Sequence, residues 1–549
     1  MISLEKFEKD KNGAFILSKE DLIPTISLLA KSGYDLLLDV TVIDYLDFIP
    51  RPKNRFSVVY LLRNIEKKEH ICIKVPLNEQ LTLPSLAHIY ESANWAEREA
   101  WDQYGIVFEN HPNLKRILNH HQFVGHPLRK DYPITKGQWC NKSDDLMDQM
   151  NKKLESKKIQ NKDELTFLNI GPAHPATHGT IRNFVALNGE NIVACVSEIG
   201  YLHRGFEKAC EHHTYNQIIP YTDRLNYCSA ILNNIAFAHT VEGMLGISIP
   251  ERGEYLRVII GELSRIIDHL VCLGAILVDM GALTNYWYLY NPREDVYTLL
   301  SKLTGARLTN SYMRIGGMAH DTYDGFEKDL QDVLKSINAG VTDALSLIEH
   351  NRIFHDRTQN VGTMSAKEAL NLGWTGPNLR ACGVAYDLRS NLPYSIYERF
   401  DFSIPVGSTG DVYDRIMVRF EEIFQSIHII QQALKQLPDG PVSVKNPKVT
   451  LPPKKAVYGT IEGLMNQFKL TYEGVKVPPK EYYRAIEGAN GELGFYIVSD
   501  GSGTPYKVKV RPPCFPAMAG YAKLVEGEMI ADAILCLGSL NIIAGELDR

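Results

Sequence analysis

The chain has 549 residues, 44% of them hydrophobic and 23% charged, with a formal net charge of −6. These are the proportions of a folded globular protein, so disorder, collagen and coiled coil are excluded, and the acidic balance argues against a general nucleic-acid binder. Nine cysteines are too few for a disulfide scaffold, and no two of them form a C-x-x-C pair, so zinc or iron–sulfur ligation of ordinary spacing is not expected from this chain alone.

The N-terminal residues, MISLEKFEKD, are charged and lack the apolar core of a signal peptide. Leu36, Val40 and Ile43 fall in a Leu/Val/Ile-rich run, 34–45, that reads as a strand; 56–62 and 71–76 read as two more, and 83–104 has helical spacing. A small α+β domain over 1–140, similar to an α/β sandwich, is expected. Residues 141–165 follow, and 12 of the 24 residues in 141–164 are charged, the composition of a solvated linker or an isolated charged helix.

The remaining segment, 166–549, opens with strand-like runs at 165–170 and 181–187 around a turn-rich loop, GPAHPATHG. Helical patterns are expected over 214–245, 252–280, 330–351 and 411–435, and the tail from about Val457 reads as strands and turns. The longest apolar runs, 270–278 and 533–544, fall short of the roughly 18 residues that cross a bilayer. They read as core, and the chain as a soluble, cytoplasmic one whose contact with a membrane comes through partners.

Several long strings in this order carry a resemblance. The first domain contains EREAWDQYGI from Glu97, HPNLKRIL from His111 and GHPLRKDYP from Gly125. Together they resemble the C subunit of bacterial NADH:quinone oxidoreductase, respiratory complex I. The rest contains GPAHPATHG from Gly171, GYLHRGFEK from Gly200, PYTDRLNY from Pro220, VGSTGDVYDR from Val406 and the terminal GELDR. This part resembles the D subunit of the same complex, which is related to the large subunit of nickel–iron hydrogenases. The chain thus resembles a C–D fusion joined at the charged segment.

The resemblance implies an α+β fold with a central helical bundle and small flanking sheets in the larger domain. It implies a peripheral subunit on the cytoplasmic side of the inner membrane, beside the membrane arm. There it would form the quinone-reduction site with the subunit that carries the terminal iron–sulfur cluster. NADH, FMN and the clusters would belong to other subunits, the chain itself would bind no metal, and ubiquinone or menaquinone would be its substrate. His178 matches the family's quinone-ligating histidine, Tyr227 its quinone-ligating tyrosine, and Asp279 the carboxylate that pairs with that histidine. His174 would shape the loop or line the quinone entry, and Arg204 would sit near the terminal cluster.

The residue types suit the chemistry. Quinone reduction consumes two protons; histidine titrates near neutral pH, and a phenol is a neutral donor that an apolar pocket tolerates. Read without the family, His178 is a loop histidine, Tyr227 a packing aromatic, Asp279 a cap or ion-pair carboxylate, and Arg204 an ion-pair partner for Glu207 or a neighbour. Asp279 interrupts an apolar helical run, where a buried charge demands a partner. His174 and His178 are spaced H-x3-H, but Pro172 and Pro175 deny the helix that such a metal pair needs.

Two departures shape the alternatives. Thr309 stands where the family often has a histidine and cannot titrate. A hydrogenase would need thiolate pairs, yet Cys228 and Cys536 each lack a second cysteine at the right spacing. The competing readings are a non-catalytic assembly scaffold, and a relative that takes electrons from ferredoxin or a reduced deazaflavin.

Overall fold

The computed structural model describes residues 6–77, 80–159 and 162–549. Met1–Glu5, the start of the segment used to exclude a signal peptide, and Gln160 and Asn161 of the charged stretch lie outside the described residues. The chain divides into two compact units. One comprises Met1–Lys208, Val361–Thr375 and Pro513–Arg549; the other comprises Ala209–Asn360 and Gly376–Pro512.

Among the described residues the first unit holds three sheets. Strands β1 (Phe15–Ile16), β2 (Leu36–Asp44), β3 (Phe56–Asn64) and β4 (Glu69–Leu77) pair in the order β1-β4-β3-β2, antiparallel except for β1 with β4. Every residue of β2 and β3 is buried, which is why their sequences run apolar rather than alternating. Helices α1 (Lys19–Lys31) and α2 (Ser92–Tyr104) contribute to the same core. The expected helix over 83–104 forms only in its second half, because Thr82–Pro84 pairs as a strand with Val107–Glu109.

The acidic motif on α2 explains why its strings occur together. The Asp102 carboxylate accepts the backbone N–H groups of Ile117, Leu118 and Asn119 at 3.1, 3.0 and 2.9 Å and pairs with Arg116 at 2.6 Å. Buried Glu97 takes the hydroxyl of Ser85 and the N–H of Leu86.

The charged segment is docked rather than solvated. It contains helix α3 (Met147–Ser156), whose Leu146, Met150 and Leu154 form one buried stripe. That stripe packs on Phe184, Ala186 and Ala194 of the second sheet, formed by β5 (Thr166–Ile170), β6 (Arg182–Asn188) and β7 (Asn191–Glu198). Lys153 and Lys157 pair with Glu526 at 2.5 and 2.7 Å. Three apolar residues at four-residue spacing are enough to seat a helix whose other faces stay charged.

The second unit is built on a ring of four helices: α5 (Glu251–Asp279), α6 (Leu283–Thr304), α7 (Phe326–Ile348) and α8 (Val412–Lys435), each packed on the next. Helix α4 (Ala230–Leu245) joins it to the antiparallel sheet β8 (Lys480–Gly488), β9 (Gly491–Ser499) and β10 (Lys507–Arg511). The pattern expected to be one helix over 214–245 is broken into Tyr215–Thr222, a 3-10 turn at Tyr227–Ser229, and α4. In the tail a further helix, α9 (Ile461–Tyr472), stands where strands and turns were expected. No helix among the described residues is long and apolar enough to cross a membrane.

Candidate functional site

His178 lies in the first unit, in the loop between β5 and β6. The chain turns at Gly171, whose φ of +93° and 1.9 Å clearance between an added Cβ and the Ile181 carbonyl admit only glycine. A 3-10 turn over Pro175–Thr177 follows, capped at its start by the His174 ring, which accepts the Ala176 N–H at 3.2 Å. The buried Thr177 hydroxyl sits 2.7 and 2.6 Å from the carbonyls of His174 and Gly179. His178 closes the turn in a left-handed conformation, φ +51°, and is half-buried. A non-glycine residue held there by its neighbours is strained by about 1 kcal/mol or more.

Arg204 is exposed in the loop after Gly200. That loop is held by the Gly545–Arg549 segment of the same unit. The Asp548 carboxylate accepts the N–H groups of Gly200 and Leu202 at 3.0 and 2.8 Å, and the His203 ring lies 2.8 Å from the Asp548 carbonyl. Arg549 pairs with Glu99 and lies 3.5 Å from Glu207.

Tyr227 lies in the second unit and opens the 3-10 turn before α4, with 41% of its surface exposed. The turn is fixed from beneath. Asn226 caps it, accepting the N–H groups of Cys228 and Ser229 at 3.1 and 3.4 Å. Its amide donates to Asp268 of α5 at 2.6 Å, and its carbonyl accepts from Asn233 at 2.8 Å. Burial, with the nearby Cys228 and Asp268, raises the Tyr227 phenol above its ordinary value, so it is a protonated donor at neutral pH. Burial pushes the adjacent Cys228 thiol well up too.

Asp279 corrects one argument from sequence. It is the last residue of α5 and is exposed, so it carries no cost of burial. It lies eleven residues beyond Asp268, about 16 Å along the axis. A carboxylate at the carboxyl end of a 29-residue helix opposes the helix dipole, costing about 0.3–1 kcal/mol. Thr309 lies half-buried in the loop that follows α6.

What the sequence reading missed is a charge network inside the second unit. Glu262 of α5 pairs with Arg265 at 3.1 Å and Arg389 at 2.9 Å, and Arg389 pairs with Asp387 at 2.7 Å. Arg380 binds Glu422 at 2.6 Å and Glu487 at 2.8 Å, and His269 meets Glu422 at 2.8 Å. All these side chains are fully buried. Burial alone would raise Glu262, but Arg265 and Arg389 outweigh it and hold the carboxyl at about 2. Four carboxyls face three guanidiniums, and the excess falls on Glu487, pushed up to about 7 by burial and by Asp387. A signal was available: Glu262, Arg265, Asp268 and His269 interrupt the otherwise largely apolar stretch 258–278 of that helix.

Two family models match separate stretches of the chain. The family model "Respiratory-chain NADH dehydrogenase, 30 Kd subunit" matches residues 15–138, and "Respiratory-chain NADH dehydrogenase, 49 Kd subunit" matches 279–549. The C/D subunit of NADH-quinone oxidoreductase from Bdellovibrio bacteriovorus is 49% identical over 532 residues, covering 97% of this chain and 94% of that one. The chain belongs to the family of NADH-quinone oxidoreductase C/D subunits. The C/D subunit of Photorhabdus laumondii is 37% identical over 97% of this chain and 92% of its own length. The separate D 1 subunit of Sorangium cellulosum is 51% identical over 73% of this chain and all of its own length.

Membership makes the α+β architecture that of the 30 and 49 kDa subunits of complex I, and the enzyme one that passes electrons from NADH to quinone. Its partners are the other subunits of that complex. Among the described residues no group of three or more His, Cys, Asp or Glu side chains is arranged to hold a metal ion.

Proposed function

We propose that this chain forms the quinone headgroup site of its complex, together with the partner subunit that carries the terminal iron–sulfur cluster. The observation that carries this reading is Tyr227: a protonated phenol, partly exposed, on a turn fixed by three buried polar residues, Asn226, Asn233 and Asp268. A packing tyrosine would be buried, and a surface tyrosine would not be held from beneath.

In this reading the quinone takes two electrons, supplied through FMN and iron–sulfur clusters in other subunits, and two protons, giving the quinol. The Tyr227 O–H donates one proton to a carbonyl oxygen and the His178 ring N–H donates the other. Asp279 has the role of the carboxylate that pairs with that histidine. Arg204 supplies a fixed positive charge near the terminal cluster, which favours the reduced cluster, and His174 keeps the loop in shape. Proton uptake at these groups is the charge change that the membrane arm senses. The chain sits peripherally on the cytoplasmic face of the inner membrane, and residues 141–165 are where the C-like part, 1–140, joins the D-like part, 166–549.

The test is Tyr227→Phe and His178→Ala in native membranes, with assembly monitored. Quinone reductase activity falls sharply, while NADH oxidation by ferricyanide persists. Quinone reduction at the normal rate in both variants sinks the assignment. Loss of assembly with reductase activity retained per assembled complex would favour a scaffold instead.

A further inference from the structure

Helix α9 is apolar on two opposite sides. Gly463 and Leu470 are buried against the second unit. On the other side Ile461, Leu464, Met465, Phe468 and Tyr472, spaced i, i+3, i+4, i+7 and i+11, form one stripe at helical periodicity. Each of these five is at least half exposed, from 50% for Met465 to 78% for Tyr472. Scattered exposed apolar residues are ordinary; five in one stripe, turned away from the chain's own core, mark an interaction site. The Phe468 and Tyr472 rings are stacked, with centroids 5.6 Å apart and planes 12° apart, so the outer end of the stripe is already ordered before anything covers it.

The charges select the kind of partner. Between Ile461 and Tyr472 there is one acid, Glu462, and one base, Lys469. A helix lying on an anionic lipid surface carries lysine and arginine along its polar face; this one has Asn466, Gln467 and Thr471 there. Its stripe of Leu, Met, Phe and Tyr matches the core of a protein interface, where aromatics and methionine are enriched and charge is scarce. Cations occur at one end instead: Lys454 and Lys455, both exposed, on the short helix Lys454–Gly459 that leads into α9. The complement is an apolar groove with carboxylates at one end.

We propose that α9 is a docking helix whose outer face seats in such a groove on another protein subunit of the complex. The inference rests on membership of a multisubunit family and is independent of the quinone site. A helix laid in a groove engages through i, i+3, i+4, i+7 anchors, and these are Ile461, Leu464, Met465 and Phe468, with Tyr472 one turn further.

A photo-crosslinking amino acid, p-benzoyl-phenylalanine, placed at Met465 in the assembled complex is expected to give an adduct with one protein subunit. Adducts with lipid alone, with a second copy of this chain, or with nothing overturn the proposal. In parallel, Leu464→Ser with Phe468→Ser is expected to lower co-purification of that subunit about tenfold, with the thermal melt of the free chain unchanged. Lys454→Glu with Lys455→Glu is expected to weaken the same association. Undiminished co-purification in both pairs overturns the proposal, as does a lower melt of the free chain that accounts for the loss.

Discussion

Asp548 accepts the backbone N–H of Leu202 at 2.8 Å, across 346 positions of sequence. With its second bond, to Gly200, the carboxylate sets the path of the loop that carries His203 and Arg204. Asp548→Ala leaves two half-buried N–H groups without that acceptor, which costs about 1 kcal/mol each. A fall in the denaturation midpoint of the first unit checks this. If Arg204 acts near the terminal cluster, the cluster's midpoint potential moves as well, and an unchanged potential with a lowered midpoint would confine Asp548 to stability.

Asn226 gives a second test, aimed at Tyr227. Asn226→Ala removes a cap, costing about 0.5–2 kcal/mol, and frees the turn that presents the phenol. The KM for a short-chain quinone should rise and kcat fall, while NADH oxidation by ferricyanide stays constant. Asn226→Asp, which retains the capping oxygen but meets the carboxylate of Asp268, should be worse than Asn226→Ser. Equal kinetics in all three variants would mean that the cap does not position the tyrosine.

Asp279 tests function against stability. Because its carboxylate is exposed at the end of α5, Asp279→Asn should change the stability of the free chain by no more than about 1 kcal/mol. Quinone reduction by the complex should nevertheless drop. A destabilised free chain would point to a structural ion pair instead.

Glu97 makes a prediction about pH. Burial raises its carboxyl to about 7, against Ser85 and Leu86, which lower it. The folded chain therefore holds a proton that the unfolded chain releases above about 4.5. Its contribution is full below that value and is lost as pH rises to about 7, on the order of 3 kcal/mol in all. Denaturant titrations of the free chain between pH 4.5 and 7 should show a slope that flattens in Glu97→Gln.

Arg380 anchors two carboxylates of the buried network. Arg380→Met strands Glu422 beside His269 and removes the cation facing Glu487, a loss of about 3–5 kcal/mol. Glu487→Gln should be mild by comparison, because that carboxyl already holds a proton near neutral pH. Unfolding midpoints of the two variants decide the order, and equal losses would contradict the charge count.

The strands β2 to β6 and the long helices α5, α7 and α8 were legible because their apolar periods are sustained. Helix α6 was not: Pro292 and a run of aromatics from Tyr286 to Tyr290 hide its period. Helix α9 was hidden because its apolar residues occupy two faces, so no single amphipathic side stands out. At the candidate site the residue types were readable from motifs, but the supports were not. Asn226 reaches Asp268 over 42 positions and Asp548 reaches Gly200 over 348, and only the folded chain brings such residues together. Asp279 was misjudged for a local reason. An apolar run ending in a carboxylate looks the same whether the helix continues through the core or stops at the surface.

The pair between Glu99 and Arg549 spans 450 positions and ties the part matched by the 30 kDa model to the part matched by the 49 kDa model. In one polypeptide that contact is intramolecular. Its partners meet at an effective concentration in the millimolar range rather than at the cellular concentration of two separate chains. The same arrangement delays closure during synthesis: buried Glu99 waits for its cation while the next 450 residues are made. The fusion thus exchanges an assembly step between subunits for a late folding step within one.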